Sequence, residues 1–274
     1  MTASPQKQAL ALLKDLLNSG DYADLIITCG QDTYKVHKAV VCVRSGFFAR
    51  AVRFGGQETH TGSIHLPEDD PEIIKLLMQY LYEAEYSPVL PTTDQQGATT
   101  TLPSSRSKHS KEYRLDFPHT CFENPGFPCP RNVCPHHWCG SECAYDCSAF
   151  VCRICVTQPL PPAAGKAEDL LLHAKMYEIG DKYEVAGLRD IAKDKFNVSC
   201  KHFWNTTSFG LAAKHVFSTT VEDDKGLRDI VSATISDHIE LVNDPEVDKV
   251  MIEHNGLAVG VLQAKIKEGG WNKK

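Results

Sequence analysis

Between Ser87 and Gly165 the chain loses the apolar periodicity that governs the sequence on either side. A structureless stretch of this length is unusual inside a compact domain. Either a domain ends near residue 90, or one domain is split by an insertion. The first part, "PTTDQQGATTTLPSSRSKHSK", is too polar to offset the entropy of ordering and reads as flexible. The second part is crowded with cysteine. Only Cys29, Cys42 and Cys200 lie elsewhere, and the other eight of the eleven cysteines fall between Cys121 and Cys155. "TQPLPPAAG" closes the stretch as a Pro-rich linker.

The flanks are well patterned. Residues 5–18 predict a short amphipathic helix, with Leu10, Leu13 and Leu17 on one face. "ADLIITCG" reads as a strand, and a turn at Gly30-Gln31-Asp32 leads into "TYKVHKAVV", which makes the pair a hairpin. "AVVCVRSGFFARAV" predicts a helix, and a strand over Ile64 to Leu66 follows. "DPEIIKLLMQYLYEAEY" predicts a second helix, with Ile73, Ile74, Leu77, Met78 and Leu81 buried and Asp69 or Asp70 capping Pro71. Beyond residue 165 the period is helical throughout. Leu170, Ala174 and Tyr177 mark one helix, Leu188, Ala192 and Phe196 another, and His173 with Asp169 reads as a surface pair. Strands followed by helices point to an α+β unit with helices packed on a small sheet.

Composition excludes several function classes. With 42% apolar residues the 274-residue chain can bury a core without help from cysteine. A net charge of −6 argues against a general polyanion binder. No run of about 18 apolar residues is present to span a bilayer, and the N-terminal stretch lacks a signal-peptide core, so cytoplasm or nucleus is the expected compartment. There thiols stay reduced, which turns cysteine-rich sequence towards metal binding. No nucleophile elbow, phosphate loop or dinucleotide fingerprint occurs, so no catalytic activity is expected.

Four blocks carry a resemblance: "SGDYADLIITCG", "YKVHKAVVCVRSGFFARAV", "IHLPEDDPEIIKLLMQYLYEAEY" and, after the interruption, "LLLHAKMYEIGDKYEVAGLRDIAKDKF". Together, and in this order, they resemble the BTB/POZ domain family in its filamentous-fungal form. The resemblance implies one BTB/POZ fold over 20–197, split by a Cys-rich insertion at 87–165, with an all-helical extension over 198–268. It implies a module that binds proteins, either as a homodimer or as an adaptor for a cullin-type ubiquitin ligase. Asp24, His37 and Lys38 match polar positions of the family. The implied docking surface holds Phe48 and Val52, aided by the helix of Tyr80 and Tyr82. Glu58 matches the acidic residue of a cullin-binding signature, where Gly56 replaces the apolar anchor and weakens the expected contact. Only Met1 to Ser4 precede the first helix, which predicts against a strand-swapped dimer and leaves a helix-packed one open.

Zinc needs four converging ligands, and the cysteine block can supply them. Cys129, Cys134, Cys139, Cys143, Cys147, Cys152 and Cys155, with His136 or His137, would suffice for two sites. Only Cys152 and Cys155 have the usual two-residue gap, so the partition stays open. A reduced loop without metal is the competing expectation. A zinc-containing, nucleic-acid-linked regulator is the alternative function; Lys108, Lys111, Arg131 and Arg153 lie there, without a finger helix to enter a groove. If the block binds zinc, purified protein should carry it, and less than about half an equivalent per chain rules the site out.

Overall fold

The structure, a computed structural model, describes residues 5–54, 61–89 and 165–268, together with the backbone of 127–128 and 138–139. Its backbone divides into two units. One joins residues 1–90 to residues 163–274, and the other spans residues 91–162. In the second, β4 (Phe127–Pro128) pairs antiparallel with β5 (Trp138–Cys139).

The first unit begins with α1 (Pro5–Ser19), which sets Leu13 and Leu17 against the core. β1 (Leu25–Cys29) and β2 (Asp32–Val36) form the expected hairpin, with Cys29 opposite Asp32 across a tight turn. Gly30 takes a φ of 55° there, a left-handed conformation that glycine adopts without a Cβ clash. β3 (Ser63–His65) pairs parallel with β1, so the sheet order is β2-β1-β3. Leu25, Ile27 and Cys29 alternate inward from the central strand.

Among the described residues, two short helices follow β2 where the apolar pattern predicts one. α2 (Lys38–Arg44) stops and α3 (Gly46–Arg53) starts because Ser45 between them is extended, with φ −130° and ψ 119°. The Ser45 hydroxyl accepts from Phe48 N–H at 3.2 Å and donates to Tyr183 O at 2.7 Å. A side chain that caps the next helix and bonds to a turn distant in sequence outweighs helical periodicity. The strand expected at Ile64–Leu66 lies one residue earlier, although Leu66 N–H still donates to Thr28 O.

α4 (Pro71–Glu83) is capped by Asp70, whose carboxylate accepts from Glu72 N–H at 3.0 Å. All five predicted core residues of this helix are buried. α5 (Asp169–Lys182) packs on α4, and α6 (Leu188–Phe203) packs on α5. Then come α7 (Thr207–Thr219), α8 (Lys225–Asp237), a 3-10 turn (Ile239–Asn243), α9 (Pro245–Glu253) and α10 (Asn255–Glu268). Among the described residues no helix is long and apolar enough to cross a membrane.

An ion pair from a buried lysine holds the chain just before residue 90. Lys195, 1% exposed, reaches Glu85 at 2.6 Å and donates to Tyr86 O and Pro88 O at 2.5 and 2.6 Å. The Tyr86 hydroxyl lies 3.0 Å from His173 Nδ1. His173 is therefore a core residue, which corrects its expected surface pairing with Asp169. Burial pushes its pKa down to about 3, so the neutral ring accepts from Tyr86. Asp169 instead accepts from Lys166 N–H. On the returning side, a Cβ on Gly165 would lie 3.3 Å from Pro88 Cγ, so the chain leaves and re-enters this unit at neighbouring points. Joining Val89 to Gly165 through a short Gly/Ser linker should preserve a cooperative melt within about 5 °C of the parent. Loss of cooperativity on differential scanning calorimetry would show that residues 90–164 contribute to this core.

Candidate protein-interaction surface

The polar residues picked out from sequence sit where the hairpin, α2 and α4 meet. Asp24 N–H donates to Val36 O, and the Asp24 carboxylate accepts from Lys38 N–H at 2.7 Å. That contact satisfies a donor in the first turn of α2, which the His37 side chain leaves uncapped. His37 N–H donates to the Tyr82 hydroxyl at 2.8 Å, and His37 Nδ1 lies 2.8 Å from the same oxygen. Nε2 lies 2.7 Å from Asp21 O. A carbonyl can only accept, so Nε2 carries the proton and Nδ1 receives the Tyr82 proton. Burial raises the Tyr82 pKa to about 12, which keeps the phenol a donor. Asp24 thus bonds to Lys38 and Val36, and His37 to Tyr82 and Asp21, so the hydrogen bonds of this group are made within the fold.

The apolar anchors expected on the docking surface are also interior. Phe48 is fully buried and stacks on Tyr183 with ring centroids 5.4 Å apart, while Phe47 meets Tyr183 edge-on at 4.7 Å. Tyr82 is fully buried as well. Phe48 and Tyr82 are therefore corrected from docking anchors to core residues: the Phe48 ring packs against Tyr183 after α5, and the Tyr82 ring packs against His37 at the start of α2. Val52 is half-buried against the same core. Tyr80 donates to Ala186 O at 3.0 Å beside Gly187, where a Cβ would crowd the Tyr80 hydroxyl and a φ of 77° favours glycine.

What faces outward on the same helix pair is different. Val43 is 82% exposed on α2, and Phe54 is 80% exposed just after α3. Beside them Arg50 forms a bidentate pair with Glu184, 2.7 Å at each oxygen, which fixes the guanidinium along α3. The helical period gave no reason to choose Val43 over Val41, because the break at Ser45 decides which side of α2 is buried. Phe54 carries a visible signal, an aromatic residue directly before Gly55-Gly56. Glu58 and Gly56 lie outside the described residues. So do the side chains of Cys129, Cys134, His136, Cys139, Cys143, Cys147, Cys152 and Cys155, although the backbone of Cys139 lies in β5. Among the described residues no group of three or more His, Cys, Asp or Glu is arranged to hold a metal ion.

The stretch that carries this architecture, residues 13–99, matches the BTB/POZ domain family, and the chain contains a BTB/POZ domain there. The chain is 30% identical over 73 residues to Kelch-like protein 40 of Homo sapiens and 29% identical over 73 residues to its Mus musculus counterpart. It is 31% identical over 75 residues to a BTB/POZ domain-containing protein of Arabidopsis thaliana. Each alignment takes in 27% of this chain, and it takes in 11%, 11% and 9% of the respective relatives. The chain thus spans about a tenth of the length of these curated relatives. Helices α5 to α10 lie beyond the family match, so a small sheet with helices is followed by a helical C-terminal region.

Phe48→Ala should cost about 3–5 kcal/mol by opening a cavity at Tyr183. Tyr82→Phe should cost about 1–3 kcal/mol by leaving His37 N–H unpaired. Chemical denaturation measures both, and a surface role for either side chain predicts a change near zero.

Proposed function

We propose that this chain is a non-catalytic protein-interaction module whose BTB/POZ domain holds partner proteins through the outer side of α2 and α3. The observation that carries this reading is the inversion across that helix pair. Val41 and Phe48 are fully buried, while Val43 and Phe54 present large apolar side chains to water. Apolar groups held out from rigid elements become affinity when a partner removes them from solvent. The cost of ordering them has been met by folding, since Ser45 and the Arg50–Glu184 pair already fix both helices.

Two finer forms of the reading follow from the BTB/POZ domain. In one, the partner is a cullin-type scaffold and the chain is a ubiquitin-ligase adaptor; in the other, it is a second copy. The adaptor form is supported by Glu58 in the acidic position and by Phe54, which offers an apolar side chain close by where Gly56 cannot. Its partner would be a protein, with neither nucleic acid nor membrane required.

Val43→Asp with Phe54→Asp should lower partner capture at least tenfold, about 1.4 kcal/mol of binding free energy, with an unchanged melting temperature. Affinity purification of the tagged chain against the double variant reads this directly, with recovery of a cullin scaffold or of an untagged second copy separating the two forms. Equal capture by both chains means that the surface lies elsewhere.

A further inference from the structure

Helices α6 and α8 pack side by side and run in the same direction. At their N-terminal ends Arg189 donates to Asp224, the cap of α8, at 2.8 Å. At their C-terminal ends the rings of Trp204 and His238 stack 3.6 Å apart and 7° from parallel. Between these two clasps the helices leave a groove of about 340 Å³.

Charge is sorted along the length of the groove. The α6 wall carries Lys193, Asn197 and Lys201, and the α8 wall carries Asp229, Ala233 and Asp237. Lys225 stands at the N-terminal mouth and belongs to neither row. Both rows follow the four-residue ridge of a helix, so the two charges of each row are about 12 Å apart along the axis. All four charged side chains are exposed, and none makes an ion pair among the described residues. The floor is uncharged, with Cys200 buried and Ile230 and Thr234 half-buried.

An occupant has to answer both rows at once. A polyanion is drawn to the lysine wall and repelled by the aspartate wall. A small zwitterion cannot reach charges about 12 Å apart along the axis. An extended peptide would lay unpaired backbone N–H and C=O groups against helices whose own backbones are already bonded. A helix meets every demand: its backbone is satisfied internally, and its two edges can carry opposite charges at the same four-residue spacing.

We infer that the groove between α6 and α8 is a docking site for a helix of a partner protein. That helix is acidic along the edge that meets Lys193 and Lys201, and basic along the edge that meets Asp229 and Asp237. Between the edges it carries a narrow apolar stripe that rests on Ile230 and Ala233. Exchanging its two edges is equivalent to reversing it, so the partner's charge pattern fixes the direction in which it lies. The site uses no residue of α1 to α4 and is independent of the surface proposed above.

Three stapled helical peptides, each with an alanine–leucine stripe, test this by fluorescence anisotropy against the full chain. One carries glutamate on one edge and lysine on the other, the second carries glutamate on both, and the third carries lysine on both. The mixed peptide should bind at least about tenfold more tightly than either uniform peptide. Ala233→Arg fills the groove from an exposed position, and should lower that affinity at least about tenfold with an unchanged melting temperature. Lys193→Glu with Lys201→Glu should transfer the preference to the all-lysine peptide. Asp229→Lys with Asp237→Lys should transfer it to the all-glutamate peptide, and a misfolded chain cannot give both gains. The inference is overturned if the mixed peptide binds no better than the uniform ones, or if Ala233→Arg binds it as the wild type does. It is also overturned if the charge-reversed chains keep the wild-type preference.

Discussion

The hydroxyl of Ser45 is the contact on which the rest of the first unit depends. It accepts from Phe48 N–H and donates to Tyr183 O. Around it the backbones of Ser45 and Val185 form a bridge, Gly46 N–H donates to Glu184 O, and Ala186 N–H donates to Arg44 O. These bonds join residues nearly 140 positions apart in sequence. They also set the sides of α2 and α3: once Ser45 is extended, Val41 and Phe48 turn inward and Val43 turns out. A local hydrogen-bonding choice thus determines which apolar residues become core and which stay available to a partner.

Much of the fold could be read from the chain. The hairpin, the cap at Asp70 and the buried face of α4 follow from period, turn residues and helix-start chemistry, each set within a few neighbouring residues. The break at Ser45 could not be read, because its cause is a carbonyl at Tyr183 that no local pattern reveals. The burial of Lys195 and His173 was hidden for the same reason. Charged and titratable residues on helices are normally solvated, and these two are interior only because Glu85, Tyr86 and Pro88 meet them there.

The candidate site divides along the same line. Asp24, His37 and Lys38 match polar positions of the family near element ends, where polar residues satisfy stray backbone donors, and the Asp24 carboxylate and the Tyr82 hydroxyl meet two such donors here. Which way each side chain faces was not legible, since the sequence records what a side chain can bond and not where it points. Phe48 looked like an anchor for its size, while Phe54, two turns on and before two glycines, is the ring that water reaches. Exposure is a property of the packed object, and residue type predicts it poorly.

Pro88 and Gly165 lie 77 positions apart in sequence and close together in space. Bringing two points of a chain together carries an entropic cost that grows only logarithmically with the length between them, about 0.6 kcal/mol for each doubling. The groups that hold the two points are Lys195, Tyr86 and the turn at Asp169, and all belong to the first unit. That unit therefore closes its own seam: the edge left by one half of its sequence is completed by side chains from the other.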